Sequence, residues 1–120
     1  MNRSRSHLFV CVLFRISAHA PFIPAYLHEG LRRCLYDASY RTGSRAVVVE
    51  NTCACVRLLL HVPIKRTITG VVSELRRSSR EWLEHRLGQE FAWQGIYTAY
   101  SIRAGTARRC LSALPRTQPV

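Results

Sequence analysis

The sequence predicts a single α+β domain of the order β-α-β-β-α-β, with an antiparallel sheet. Three observations carry that reading. Four short segments are apolar and rich in β-branched or aromatic residues. Two longer segments repeat apolar residues at helical spacing. The two kinds follow one another in that order. A chain of 120 residues suffices for one compact domain and is too short for two. Its 48% hydrophobic content is globular rather than disordered composition.

Leu8 to Ile16 is short and apolar, which suits a buried strand, and Pro21 and Pro24 close it. A helix is predicted from Ala25 to Tyr40, because Leu27, Leu31, Leu35 and Ala38 recur at helical spacing. Thr42-Gly43-Ser44 reads as a turn. Ala46 to Val49 is a short β-branched strand, and Cys53 to Val62 is another, ended by Pro63. Alternation puts Ala54, Val56, Leu58, Leu60 and Val62 on one face of that strand, and Cys53, Cys55, Arg57, Leu59 and His61 on the other.

The strongest helix runs from Thr67 to Leu87. Ile68, Val71, Val72, Leu75, Trp82, Leu83 and Leu87 form its apolar stripe, and Arg76, Arg77, Arg80, Glu81 and Glu84 its polar side. Thr67 fits an N-cap, and Gly88 sits where a C′ glycine belongs. Ile96 to Ile102 completes the set of strands, and Ala107 to Leu114 suits a short helix before Pro115. The order is that of the split βαβ, ferredoxin-like or RRM-like pattern, which hosts many functions. The domain is expected over 6–103, between a basic N-terminal tail at 1–5 and a truncated C-terminal tail at 104–120.

Charge is the strongest global signal. Eighteen Lys and Arg against seven Asp and Glu give a net charge of +11, and only Lys65 among the eighteen is lysine. Guanidinium groups bind phosphate bidentately and stack on bases. A sequence pI near 10.5 suggests a polyanionic partner, nucleic acid before membrane. The alternative is a genome that writes arginine for lysine on an ordinary surface, which explains the choice of arginine but not the excess charge.

The five cysteines are Cys11, Cys34, Cys53, Cys55 and Cys110. An odd number at irregular spacing is no secreted disulfide framework, so a reducing cytoplasm is expected. Arg3, Arg5, the apolar run Leu8 to Phe14 and Ala18-His19-Ala20 imitate a signal peptide. Arg15 interrupts that pattern, the run is short, and Pro21 follows the would-be cleavage point. No run approaches the ~20 apolar residues of a membrane span. Glycine-rich nucleotide loops, a nucleophile elbow and the H-E-x-x-H pattern are absent. Cys53 and Cys55 lack a second pair at zinc spacing, so no metal is expected there.

Phe91-Ala92-Trp93-Gln94, followed by Tyr97, Ala99, Tyr100, Ser101 and Ile102, carries a resemblance. So do Leu13-Phe14 before Pro21-Phe22-Ile23, and Leu58-Leu59 before Pro63. A further match is Val71-Val72 with Glu74-Leu75-Arg76, Ser78-Ser79 and Trp82. In register over roughly residues 6 to 103, these resemble the single-tyrosine HUH transposases, especially the REP-associated group of these mobile-element enzymes. The resemblance implies a bacterial dimer that binds single-stranded or hairpin DNA. It also implies a His-hydrophobic-His motif on a central strand holding Mg²⁺ or Mn²⁺, and a tyrosine on a C-terminal helix that attacks the phosphodiester. Two imidazoles at i and i+2 on a strand point the same way and can chelate one ion. The ion polarises the phosphate for the tyrosine nucleophile.

The catalytic parts of that pattern are missing. The two histidines fall on Cys55 and Arg57, a soft ligand and a fixed cation. A further family histidine falls on Cys11, and the tyrosine position falls on Ala113, with no tyrosine beyond Tyr100. Ile96 and Thr98 replace two family glycines. No catalytic set is therefore intact and no cofactor is expected. What survives is DNA-binding potential at Lys65, Arg66, Arg76, Arg77, Arg80, Trp93, Arg103, Arg108 and Arg109. Two of these groups have a plainer reading. The helix arginines can be a solvated face balanced by Glu74, Glu81 and Glu84, and Trp93 can be core. The expected function is DNA binding by a transposase relative that does not cleave. A dimerising regulatory partner of an intact relative, or a pseudogene product, is the alternative.

Overall fold

The computed structural model describes residues 7–102. Strand β1 spans His7–Arg15 and is followed by a 3₁₀ turn at Ala25–Leu27 and helix α1 at His28–Arg41. Strands β2 (Arg45–Asn51) and β3 (Cys55–Pro63) come next, then helix α2 (Ile68–Leu87) and strand β4 (Thr98–Ile102). The four strands form one antiparallel sheet in the order β2-β3-β1-β4. This is the predicted α+β order, with two helices and an antiparallel sheet.

The boundaries moved for local reasons. Pro24 has an extended backbone, and the first predicted helical turn is the tighter 3₁₀ form, with the Leu27 N–H bonded to the Pro24 carbonyl. The turn of Gly43 has φ +83°, the left-handed region that glycine enters without steric penalty. Strand β3 starts at Cys55 rather than Cys53. Thr52 Oγ1 accepts from the N–H groups of Ala54 and Cys55, which closes the β2–β3 connection. Cys53 therefore lies in that turn and not beside Cys55 on a strand, and its carbonyl accepts from the Ile23 N–H.

The last strand begins at Thr98 rather than Ile96. Residues before it are used elsewhere: Trp93 bridges Ile16, the Gln94 N–H bonds the Arg15 carbonyl, and the Ser17 N–H bonds the Ala92 carbonyl. The predicted tail helix at Ala107 to Leu114 lies outside the described residues.

Both helices cover one face of the sheet. Val10, Val12 and Phe14 of β1 and Val56, Leu58, Leu60 and Val62 of β3 meet Leu31, Leu35 and Ala38 of α1 and Val71, Val72, Leu75 and Leu83 of α2. Two serines caught in this layer, Ser79 and Ser39, are satisfied. Ser79 donates to the Leu75 carbonyl at 2.7 Å and accepts from the Trp93 indole at 3.0 Å. Ser39 donates to the Tyr36 carbonyl and accepts from the Ala46 N–H. Helix α2 has the predicted ends: Thr67 accepts from the Gly70 N–H, and Gly88 closes it at φ +68°.

The helices approach closely where Trp82 lies over Gly30, since a Cβ there would sit 2.6 Å from the indole ring. No described helix is long and apolar enough to cross a membrane.

Candidate nucleic-acid interface

The second face of the sheet carries no helix among the described residues. Cross-strand pairing arranges it in rows running β2, β3, β1, β4. The first row is Glu50, Arg57, Leu13 and Thr98; the second is Val48, Leu59, Cys11 and Tyr100; the third is Arg45, His61, Phe9 and Ile102. Cys55 stands opposite Arg15 at the end of this face. Alternation produces it: the odd residues of β1 and β3 turn away from the helices. The predicted partition of β3 therefore holds from Cys55 onward. Leu59 departs from a solvent role, since it is only 2% exposed and forms the floor of the middle row.

Cys55 and Arg57 share this face, as their spacing requires. The Cys55 thiol and the Thr52 hydroxyl are hydrogen-bonded at 3.4 Å. Arg57 makes no ion pair among the described residues, and its β2 neighbour is Glu50. Among the described residues no group of three His, Cys, Asp or Glu side chains could hold a metal ion. A hard divalent cation needs oxygen or imidazole donors. A thiol beside a guanidinium does not fit Mg²⁺ or Mn²⁺, so no chemistry through such an ion follows from these residues. The position Ala113 lies outside the described residues, as do Arg103, Arg108 and Arg109.

The remaining predicted contacts separate into three environments. Lys65 and Arg66 are exposed in the connection between β3 and α2. They line a cavity of about 550 Å³ with Arg41, Thr42, Thr67, Gly70, Val71 and Glu74. Arg41, in the last turn of α1, was not singled out from sequence. It joins the two others because the turn at Gly43 brings the end of α1 beside the start of α2, and its guanidinium donates to Ser78 Oγ at 3.2 Å. Lys65 and Arg66 make no ion pair among the described residues. Their charge is therefore available to a polyanion, at an end of α2 where the helix dipole also favours negative charge.

Arg77 and Arg80 are balanced. Arg77 pairs with Glu74 at 2.5 Å and Glu81 at 3.1 Å, and Arg80 pairs with Glu84 at 3.3 Å. The hydrogen bond from Arg77 holds the Glu74 carboxyl below its ordinary value, and the same bond raises the Arg77 guanidinium. This is the solvated, charge-neutral helix face that was the plainer reading. Arg76 differs again. It is half-buried, donates to the Gln94 carbonyl and lies 5.5 Å from the Tyr97 ring, so it straps α2 to the segment before β4.

Trp93 is a core residue, 7% exposed. Its ring meets Phe14 and Phe91 edge-on, with centroids 4.7 and 4.9 Å away, and its N–H is spent on Ser79. No face of the indole is offered to a base in this arrangement. The signature Phe91-Ala92-Trp93-Gln94 thus serves packing: it fastens the segment before β4 to the end of β1.

Neither a protein-family model nor a curated protein matches the sequence. Solved structures do match. A candidate transposase of Deinococcus radiodurans R1 superposes with a TM-score of 0.73 at 18% identity, covering 88% of this chain and 87% of that one. A REP-associated tyrosine transposase bound to a REP hairpin gives a TM-score of 0.64 at 11% identity, covering 85% of this chain. The present chain spans 60% of the length of that second protein. The fold is therefore one that transposases use, in agreement with the resemblance read from the motifs.

Proposed function

We propose that this chain is a degenerate relative of the single-tyrosine HUH transposases that binds single-stranded or hairpin DNA and does not cut it. The observation that carries the reading is Arg57. On a fold shared with transposases, a guanidinium with no ion-pair partner among the described residues stands where the motif resemblance puts a family metal ligand. A fixed cation there attracts the phosphate that the fold would present and repels the ion that would activate it. The cluster of Arg41, Lys65 and Arg66 supports the binding half of the reading. So does the net charge of +11.

The test is fluorescence anisotropy with a labelled hairpin and an unstructured strand at two salt concentrations. Hairpin preference that persists at the higher salt is the expected result. Neutralising Lys65 and Arg66 together should flatten the log–log salt dependence by about 0.7 per lost phosphate contact on single strands. Equal binding to both strands that vanishes with salt would reduce the charge to generic attraction. Incubation with Mg²⁺ or Mn²⁺ and hairpin DNA should leave the strand intact. A nicked strand with a covalent protein adduct would overturn the non-cleaving half.

A further inference from the structure

A groove of about 630 Å³ runs between α1 and α2, and every residue lining it belongs to one of the two helices. Gly30 shapes one end. A Cβ there would stand 2.6 Å from the Trp82 indole, so glycine is what lets that ring lie against α1. At the other end the Arg41 guanidinium donates to Ser78 Oγ at 3.2 Å. The rise from Gly30 to Arg41 along α1 makes the groove about 16 Å long. Between the ends, the Cys34 thiol donates to the Ser78 carbonyl, and burial pushes it above its ordinary value. The floor of the groove is therefore uncharged.

The charged groups of the groove divide into paired and unpaired. Arg33 pairs with Glu29, and Arg77 pairs with Glu74 and Glu81. Arg41, Arg86 and Asp37 make no ion pair among the described residues. Arg86 lies over the Trp82 ring, 4.9 Å from its centroid. Guanidinium groups stack on flat rings, those of bases included. Arg41 and Asp37 both lie close enough to Cys34 to act on its thiol. The order along the groove is thus a stacked ring, an unpaired carboxylate and an unpaired guanidinium. Arg41 also lines the cavity of Lys65 and Arg66, so the cationic surface continues past that end.

An apolar partner helix would bury these three unpaired charges, which is strongly unfavourable. An inorganic anion would use one end only. A flat ring, then hydroxyls, then phosphates would use every part in turn. We propose that the groove between α1 and α2 binds a nucleoside diphosphate. Its base lies on the stack of Arg86 and Trp82, its sugar hydroxyls donate to Asp37, and its phosphates meet Arg41, with Lys65 and Arg66 beyond. Asp37 also sets the direction of the ligand, because a carboxylate accepts from hydroxyls and repels phosphate. This is a site for a free nucleotide, on the helix layer rather than on the sheet, and it goes beyond the reading of the chain as a DNA-binding protein.

The chain has two tryptophans, which separate the readout: Trp93 is buried in the core, and Trp82 lines the groove. ADP is titrated into the full chain while tryptophan fluorescence is followed, and equilibrium dialysis with labelled ADP counts binding independently. Saturable binding is expected, about tenfold or more tighter than that of adenosine or of pyrophosphate alone. Arg41→Gln should weaken ADP by about tenfold. Asp37→Asn should weaken ADP by about fivefold and leave pyrophosphate no weaker. An unchanged thermal transition checks that both variants fold. No saturable ADP binding by dialysis would overturn the proposal. Equal affinity for ADP and pyrophosphate would also overturn it, since the groove would then attract any anion. If Asp37→Asn tightened both ligands alike, the sugar would not lie where the proposal puts it. Hairpin binding is measured separately by anisotropy, so either reading can fail while the other stands.

Discussion

The two faces of the sheet are made by the same strands and differ in almost everything else. Facing the helices, β1 and β3 present Val10, Val12, Phe14, Val56, Leu58, Leu60 and Val62, all at or near complete burial. Facing away, the same strands present Phe9, Cys11, Leu13, Arg15, Cys55, Arg57, Leu59 and His61, mostly half-buried. The first set is uniform because tight packing of two helices leaves room only for apolar side chains of fitting volume. The second is mixed, with rings, thiols and cations interleaved, and among the described residues no helix packs on it. The constraint of packing sits on one face and is relaxed on the other, one residue apart along the chain.

Stability measurements test that contrast, with the largest expected effect first. Phe14→Ala should cost ~3–5 kcal/mol, since it empties a fully buried site that also touches the Trp93 ring. Phe9→Ala, the neighbouring ring on the open face, should cost clearly less. Chemical denaturation of both variants measures the gap, and equal losses would mean the open face is packed as tightly as the covered one.

Ser79→Ala should cost ~1–3 kcal/mol, because it strands the buried Trp93 N–H and removes the bond that ties the Phe91 to Gln94 segment to α2. Near-ultraviolet circular dichroism should report a changed tryptophan environment. Thr67→Ala should cost ~1 kcal/mol through loss of the N-cap bond to Gly70, read as a lowered denaturation midpoint.

The smallest effect is electrostatic. The folded carboxyl of Glu74 titrates lower than usual because Arg77 bonds it. Its stabilisation is therefore present above the ordinary carboxylate range and is lost as pH falls through the folded value. Glu74→Gln should remove that acid-limb dependence, and salt should weaken it in the wild type, because the pair is exposed.

The open face and the balanced face of α2 also teach different lessons about reading arginine. Arg76, Arg77 and Arg80 looked alike in sequence. In the fold, two are neutralised by glutamates one helical turn away, and the third is a strap over Tyr97. The glutamates were visible in sequence as i,i+3 and i,i+4 neighbours. The strap was not, because its partners lie 18 and 21 residues along the chain, far beyond helical neighbour spacing. Trp93 was legible as core or platform, and only the approach of Phe14, Phe91 and Ser79 decided for core.

The sequence by itself determined the element order, the caps of α2, the turn at Gly43 and the shared face of Cys55 and Arg57. These depend on spacing within one segment: periods of two and 3.6, a capping hydroxyl, a glycine in the left-handed region. Tertiary structure alone decided the rest. It used residues 91–94 to close β1 and delayed β4 to Thr98. It brought Arg41 to Lys65 and Arg66, and it set Phe9 on His61. Those outcomes depend on which strands become neighbours. Strand pairing between distant segments is set by the burial of a common core, a quantity that no single segment contains.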